Sequence, residues 1–175
     1  MQVRKARLQD ATNIYELVNS LSGDGTLLRR PFAEICENVR DFTVAESEGG
    51  IFLGCGALHL YGMHLAEIRS ITVTNEAKGS GAGRVLIDAL LQEAEKQSVT
   101  CVCLFTRIPQ FFARMGFDEV KKEALPDKVL KDCVRCPRQN ACDEIAMYRG
   151  TLPKSTARRR PHAAQSYVHI APQQA

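Results

Sequence analysis

The sequence predicts an α/β fold, and three observations carry that expectation. Segments with apolar side chains at helical spacing alternate with short runs rich in β-branched residues. One run, Val99–Phe105, is almost wholly apolar, as a central strand covered on both faces must be. The order reads β-α-α-β-β-β-α-β-α-β with a further helix and strand behind it, so helices are expected to flank a mixed sheet.

The elements follow in chain order. Gln2–Ala6 is a short first strand, and the segment from Asp10 to Leu21 places Ala11, Ile14, Leu17, Val18 and Leu21 on one helical face. Ser22-Gly23-Asp24-Gly25 stops that helix with turn residues. Pro31 suits the first position of a second helix through Arg40, because its missing N–H costs nothing there. Phe42–Ser47 and Ile51–Tyr61 read as strands joined by a Glu-Gly-Gly turn, and His64–Thr74 as a third. After a glycine cluster comes a long helix, Gly81–Gln97, with its stripe at Val85, Leu86, Ala89, Leu90 and Ala94. Behind the central strand, Pro109–Met115 and Pro126–Cys133 read as helices, Phe117–Val120 and Glu144–Arg149 as strands. No internal repeat is visible.

Length and composition fit one soluble domain. The chain has 175 residues, 45% hydrophobic and 25% charged. No apolar run reaches the length of a membrane span, and the basic N-terminus has no apolar segment behind it, so a cytoplasmic location is expected. The net charge of +3 comes from residues 151–175, which hold four of the 23 basic residues and no acidic one. That leaves 19 basic against 20 acidic residues in 1–150, a net of −1 and no basic face for nucleic acid. We therefore divide the chain into a folded domain, 1–150, and a basic tail, 151–175, that reads as disordered. Four of the seven cysteines (Cys36, Cys55, Cys101, Cys103) fall inside regular elements and read as reduced, mostly buried thiols. A homodimer and a single chain are both compatible with the sequence.

The sharpest chemical signal is Lys78-Gly79-Ser80-Gly81-Ala82-Gly83-Arg84, set between a strand and a long helix. Glycines let the backbone approach a ligand and adopt positive φ, and free N–H groups at a helix start attract an anion. With Lys78 and Arg84 beside them they suit a pyrophosphate. The cluster is neither a P-loop nor a dinucleotide fingerprint, lacking G-K-[ST] and the final x-x-G. It resembles the acetyl-CoA motif of the GNAT superfamily of N-acetyltransferases, with Lys78 in place of the usual Gln or Arg. Glu67-Ile68-Arg69-Ser70-Ile71-Thr72-Val73 resembles that family's fourth strand, and Leu104-Phe105-Thr106-Arg107 with Phe111-Phe112-Ala113-Arg114-Met115-Gly116-Phe117 its fifth strand and following helix end.

The resemblance implies a mixed, mostly antiparallel sheet splayed between the fourth and fifth strands to admit acetyl-CoA. Ile71, Thr72 and Val73 would meet the pantetheine arm, the glycine turn the pyrophosphate, and Phe112 the thioester end. Many members place a tyrosine at the position of Phe112 as proton donor to the departing thiolate; phenylalanine has no proton to give, so the thiolate leaves unassisted or with help from Ser70 or water, and the role stays unassigned. A narrower resemblance, to the acetyltransferase domain of N-acetylglutamate synthases, rests on Gly25-Thr26-Leu27-Leu28-Arg29-Arg30, Phe42-Thr43-Val44-Ala45-Glu46, Gly54-Cys55-Gly56-Ala57-Leu58 and Ala66-Glu67-Ile68-Arg69-Ser70. Leu125-Pro126, Cys133-x-x-Cys136-Pro137 and Cys142-Asp143-Glu144 are similar to the short, single-domain type. It implies acetyl transfer to the α-amino group of L-glutamate, the first step of arginine biosynthesis.

Glu67 is the candidate general base, directly or through one water, because an amino acid arrives as an ammonium and only the free amine attacks a thioester. Its plainer reading is a solvated strand carboxylate. Two carboxylates on the acceptor call for arginine forks, and Arg30, Arg69 and Arg107 are the candidates. Cys133, Cys136 and Cys142 form an incomplete zinc pattern, which reads as clustered thiols or a redox disulfide in preference to a bound metal. Two alternatives stay open: an acetyltransferase with another amine acceptor, and a non-catalytic module that senses acetyl-CoA or a metal.

Overall fold

The computed structural model describes residues 1–23, 27–136 and 138–153 of the chain. The Asp24-Gly25 end of the first expected turn, Thr26, Pro137 and nearly all of the basic tail lie outside the described residues.

Seven strands form one sheet in the order β1-β2-β3-β4-β5-β7-β6. They are β1 (Gln2–Lys5), β2 (Phe42–Glu46), β3 (Phe52–Gly62), β4 (Leu65–Val73), β5 (Cys101–Thr106), β6 (Asp118–Val120) and β7 (Ile145–Gly150). Five helices accompany them: α1 (Ala11–Ser20), α2 (Phe32–Glu37), α3 (Ala82–Lys96), α4 (Pro109–Ala113) and α5 (Pro126–Lys131). Every strand pair is antiparallel except β4–β5.

The apolar pattern explains the layering. Val44, Cys55 and Ala57 bury against Ala11, Ile14 and Val18 of α1 and Ile35 of α2. The alternate residues Leu58, Ala66 and Ile68 point the other way, into a core with Ile87, Leu90 and Ala94 of α3 and Phe112 of α4. A third cluster gathers Leu65, Cys101, Cys103, Leu125 and Ala146 beneath the segment that leads into α5. Arg4 ties β1 to both neighbours, donating to Asp10 at 2.7 and 2.9 Å and pairing with Glu46. Its guanidinium holds the Asp10 carboxyl below the usual carboxylate range, against the opposing effect of burial.

Several expected boundaries move, with Pro109–Met115 and Pro126–Cys133 ending at Ala113 and Lys131, and two further shifts have a visible cause. Pro31 sits at the N-cap of α2 with extended ψ of 148°, and α2 gives way to a 3-10 turn at Val39–Asp41, so the expected helix through Arg40 is shorter. The central strand begins at Cys101, because the Thr100 N–H bonds instead to the Met63 carbonyl at the β3–β4 hairpin. Cys55, Cys101 and Cys103 are buried, Cys36 is half-buried, and all seven thiols are free. Burial pushes the Cys55 thiol up to about 12 and Cys101 to about 11, so both are neutral near pH 7.

Candidate active site

The site begins where the sheet stops being a sheet. β4 and β5 pair only at Ala66↔Val102 and Glu67↔Cys103 and then diverge. Between Cys55 and Ala57 the partner residue in β4 moves from Thr72 to Arg69, so β4 holds one residue more than β3. That bulge falls at Ser70–Ile71, where Ser70 takes a φ of 53°, a conformation disfavoured for residues with a Cβ. The result is a slot of about 160 Å³ bordered by Ile68, Ser70 and Ile71 on one side and Leu104, Thr106 and Phe112 on the other.

At the head of the slot stands the glycine turn. Gly79 and Gly81 have φ of 77° and 88°, and Gly81 caps the N-terminus of α3. A Cβ added at either would meet nothing within 4 Å, so the glycines serve conformation and leave open space in front of the turn. The first N–H groups of α3 have no partner inside the helix, and Lys78 and Arg84 are exposed on either side.

At the other end the slot joins a cavity of about 70 Å³ lined by Arg30, Glu67, Arg69, Ser70, Phe105 and Lys128. Beyond it opens a bowl of about 260 Å³. Glu67 is not the solvated carboxylate that a strand position allows: it is 3% exposed and accepts at both oxygens. Lys128 Nζ of α5 lies 2.8 Å from Oε1, and the Tyr61 hydroxyl 2.9 Å from Oε2. Both groups also reach Asp132 Oδ2, at 2.8 and 3.1 Å. The Asp132 carboxyl is held below its ordinary value; burial works against this but is outweighed by Lys128, with Tyr61 and Arg69 assisting.

A model of the Acetyltransferase (GNAT) domain matches residues 38–119. An uncharacterized N-acetyltransferase from Chlorobaculum tepidum is 41% identical over 145 residues, 83% of this chain and 93% of that protein. The chain belongs to the GNAT family of N-acetyltransferases. An amino-acid acetyltransferase from Mycobacterium tuberculosis is 36% identical over 135 residues, 76% of this chain and 77% of that protein. Among solved structures, Rv2747 from M. tuberculosis in complex with CoA and NLQ superposes with a TM-score of 0.75 at 29% identity, over 87% of this chain and all of that one. N-acetylglutamate synthase from Neisseria gonorrhoeae, complexed with coenzyme A and N-acetyl-glutamate, shares the fold at 24% identity and a TM-score of 0.76, this chain spanning 35% of its length.

As a GNAT enzyme the chain uses acetyl-CoA as its cosubstrate, and the slot and open glycine turn fit that molecule. The expected site residues sort by place. Ile71, Thr72 and Val73 lie on the diverging half of β4, Lys78 to Arg84 at its head, and Phe112 on the slot wall within the core. Ser70 Oγ, between slot and inner cavity, accepts a hydrogen bond from Arg30 Nε at 3.0 Å. Arg30 also pairs with Glu34 of α2, and its main chain is pinned by Asn19 on both sides. Two of its guanidinium nitrogens are thus engaged, and Nη2 is the one left without a protein partner among the described residues. Arg69 borders both slot and inner cavity, while Arg107 borders the slot with its Nε committed to Asp143 at 2.9 Å.

Cys133, Cys136 and Cys142 do converge, but on the wall of the outer bowl, and no group of three His, Cys, Asp or Glu among the described residues is arranged to hold a metal ion. Cys142 instead receives a hydrogen bond from Lys122 Nζ at 2.9 Å. Tyr61, Lys128 and Asp132 are the site residues that sequence reasoning missed. The one local signal was the four-residue spacing of Lys128 and Asp132, which pairs them on one side of a helix.

Proposed function

We propose that residues 1–150 form a catalytic domain that transfers the acetyl group of acetyl-CoA directly to the α-amino group of an amino acid, L-glutamate above others. The observation that carries this reading is the inner cavity, where a buried carboxylate, Glu67, and two arginines, Arg30 and Arg69, meet at the end of the slot. A thioester seated in the slot presents its carbonyl there. The arginines receive carboxylate, and Glu67 takes a proton from the ammonium so that nitrogen can attack. Phe112 offers no proton to the leaving thiolate; the Ser70 hydroxyl, positioned by Arg30, is the group at hand. The amino-acid acetyltransferase of M. tuberculosis supports the acceptor class. With glutamate as acceptor, the reaction is the one that opens arginine biosynthesis, carried out in the cytoplasm.

The test is turnover with acetyl-CoA against a panel of twenty amino acids and the decarboxylated analogue of glutamate. Glutamate should lead and the analogue should fail; preference for an acceptor without a carboxylate would discard it. Glu67→Gln should lower kcat by about 10²–10⁴-fold at neutral pH and by less at high pH, where free amine is abundant. Near-normal turnover by Glu67→Gln across pH would make Glu67 structural.

A further inference from the structure

The Tyr61 hydroxyl stands between two carboxylates, 2.9 Å from Glu67 Oε2 and 3.1 Å from Asp132 Oδ2. A hydroxyl carries one proton and can donate it to one oxygen at a time. With both carboxylates ionised, three oxygens therefore share one proton, and one contact is always a proton short. Lys128, bonded to both acids, offsets their charge but cannot fill that gap, because its nitrogen meets Glu67 at the other oxygen, Oε1.

We infer that Tyr61 and Asp132 form the exit by which the acceptor's proton leaves Glu67 for solvent. This rests on the reading of Glu67 as the base. Converting an ammonium and acetyl-CoA into an amide and CoA thiol releases one proton per turnover, and Glu67 is too buried to hand it to bulk water directly. The N–H bond of the ammonium breaks as an O–H bond forms on Glu67. That O–H then breaks as its proton passes to the Tyr61 oxygen, while Tyr61 gives its own proton to Asp132 Oδ2. Asp132, whose side chain is 27% exposed, releases it to water, and a turn of the hydroxyl restores the start. The nitrogen's second departing proton goes to the thiolate.

The surroundings favour this route. Burial first, then the two carboxylates, hold the Tyr61 phenol well above its ordinary range, so it works by giving one proton as it takes another and does not stand as phenolate. Asp132 is held as an anion and does not keep the proton it is given. Besides Lys128, the other polar groups around the path are Arg69, which helps lower the Asp132 carboxyl, Cys103 on β5, His59 packed edge-on against the Tyr61 ring, and Lys131 over the face of that ring. None bridges Glu67 to solvent through hydrogen bonds among the described residues.

The experiment compares Tyr61→Phe, Asp132→Asn and Glu67→Gln in the full chain. Tyr61→Phe and Asp132→Asn should each lower kcat by about 10²-fold with the KM for acetyl-CoA unchanged. Both should raise the solvent deuterium isotope effect on kcat, and added formate should restore part of the Asp132→Asn loss. The double variant should be no worse than the poorer single one. A folded Tyr61→Phe with wild-type kcat and isotope effect, beside an inactive Glu67→Gln, overturns the exit alone; an active Glu67→Gln overturns the base with it. Should Tyr61→Phe not fold, Asp132→Asn decides by the same readouts. A loss that formate does not touch, with an unchanged isotope effect, makes these residues structural and refutes the inference.

Discussion

Replacing Lys128 with methionine keeps the volume of the side chain and removes its ammonium, leaving Glu67 and Asp132 as two acids around one hydroxyl. Lys128 Nζ is 2.8 Å from an oxygen of each, and the three side chains are 10%, 4% and 27% exposed. Breaking a buried pair from one side costs about 3–5 kcal/mol. Water can reach Asp132, so the lower end applies, about 3 kcal/mol at pH 7. For a domain of this size that is a fall in Tm of about 6–12 °C. The loss should also depend on pH in a definite direction. The Asp132 carboxyl is lowered in the folded protein, so it contributes stability that is present above its unfolded value of about 3.9 and is lost as pH falls through the folded one. Lys128 is the main group lowering it, so Lys128→Met removes that contribution and the two stability curves should converge in acid. Urea unfolding of both proteins from pH 7 down to pH 3 measures it. A pH 7 difference under about 1 kcal/mol, the range of an exposed pair, or a gap that keeps its size into acid, would refute the reasoning.

Gly81→Asp should abolish CoA binding in a folded protein, because it strains a residue at φ 88° and sets a carboxylate in the open space before the turn; calorimetry with CoA reads this, and unchanged affinity would remove the glycine turn from the site. Arg30→Ala should raise the KM for the acceptor by roughly 10–150-fold, the value of a hydrogen bond to a charged group, and leave the KM for acetyl-CoA nearly untouched. Arg30→Lys should not restore the loss, since an ammonium cannot hold Ser70 and Glu34 and reach a carboxylate as well; steady-state kinetics with each substrate varied decide it.

What could be read in the sequence was what neighbouring residues settle among themselves. The Ala82–Lys96 helix follows from its apolar stripe, and the glycine turn before it from the conformations that only glycine takes readily. The order of strands followed too, with ends off by one or two residues where a distant partner decides, as Met63 does for Thr100. The polar cluster was illegible because it is assembled from β3, β4 and the end of α5, with up to 71 residues between bonded partners. Arg30 was placed at the acceptor end, but its tie to Ser70 crosses 40 residues and no spacing rule announces it. The three late cysteines were legible only as a cluster: their close spacing brings free thiols to one wall of the outer bowl, with 3-10 turns at Cys133–Arg135 and Gln139–Ala141 between them.

The parting of β4 and β5 has a consequence for the handling of the protein. β5 is paired with β7 along its whole length, yet the side facing β4 is bonded only near its start. The sheet thus contains two unpaired borders in its middle, the kind of border that natural proteins usually shorten, charge or cover because other chains can zip onto it. On the reading that acetyl-CoA seats in the slot, the amide groups along its arm would close that seam in the manner of an inserted thread. Purification and storage with CoA should therefore suppress self-association as well as raise the melting temperature, the two effects saturating over the same range of ligand concentration.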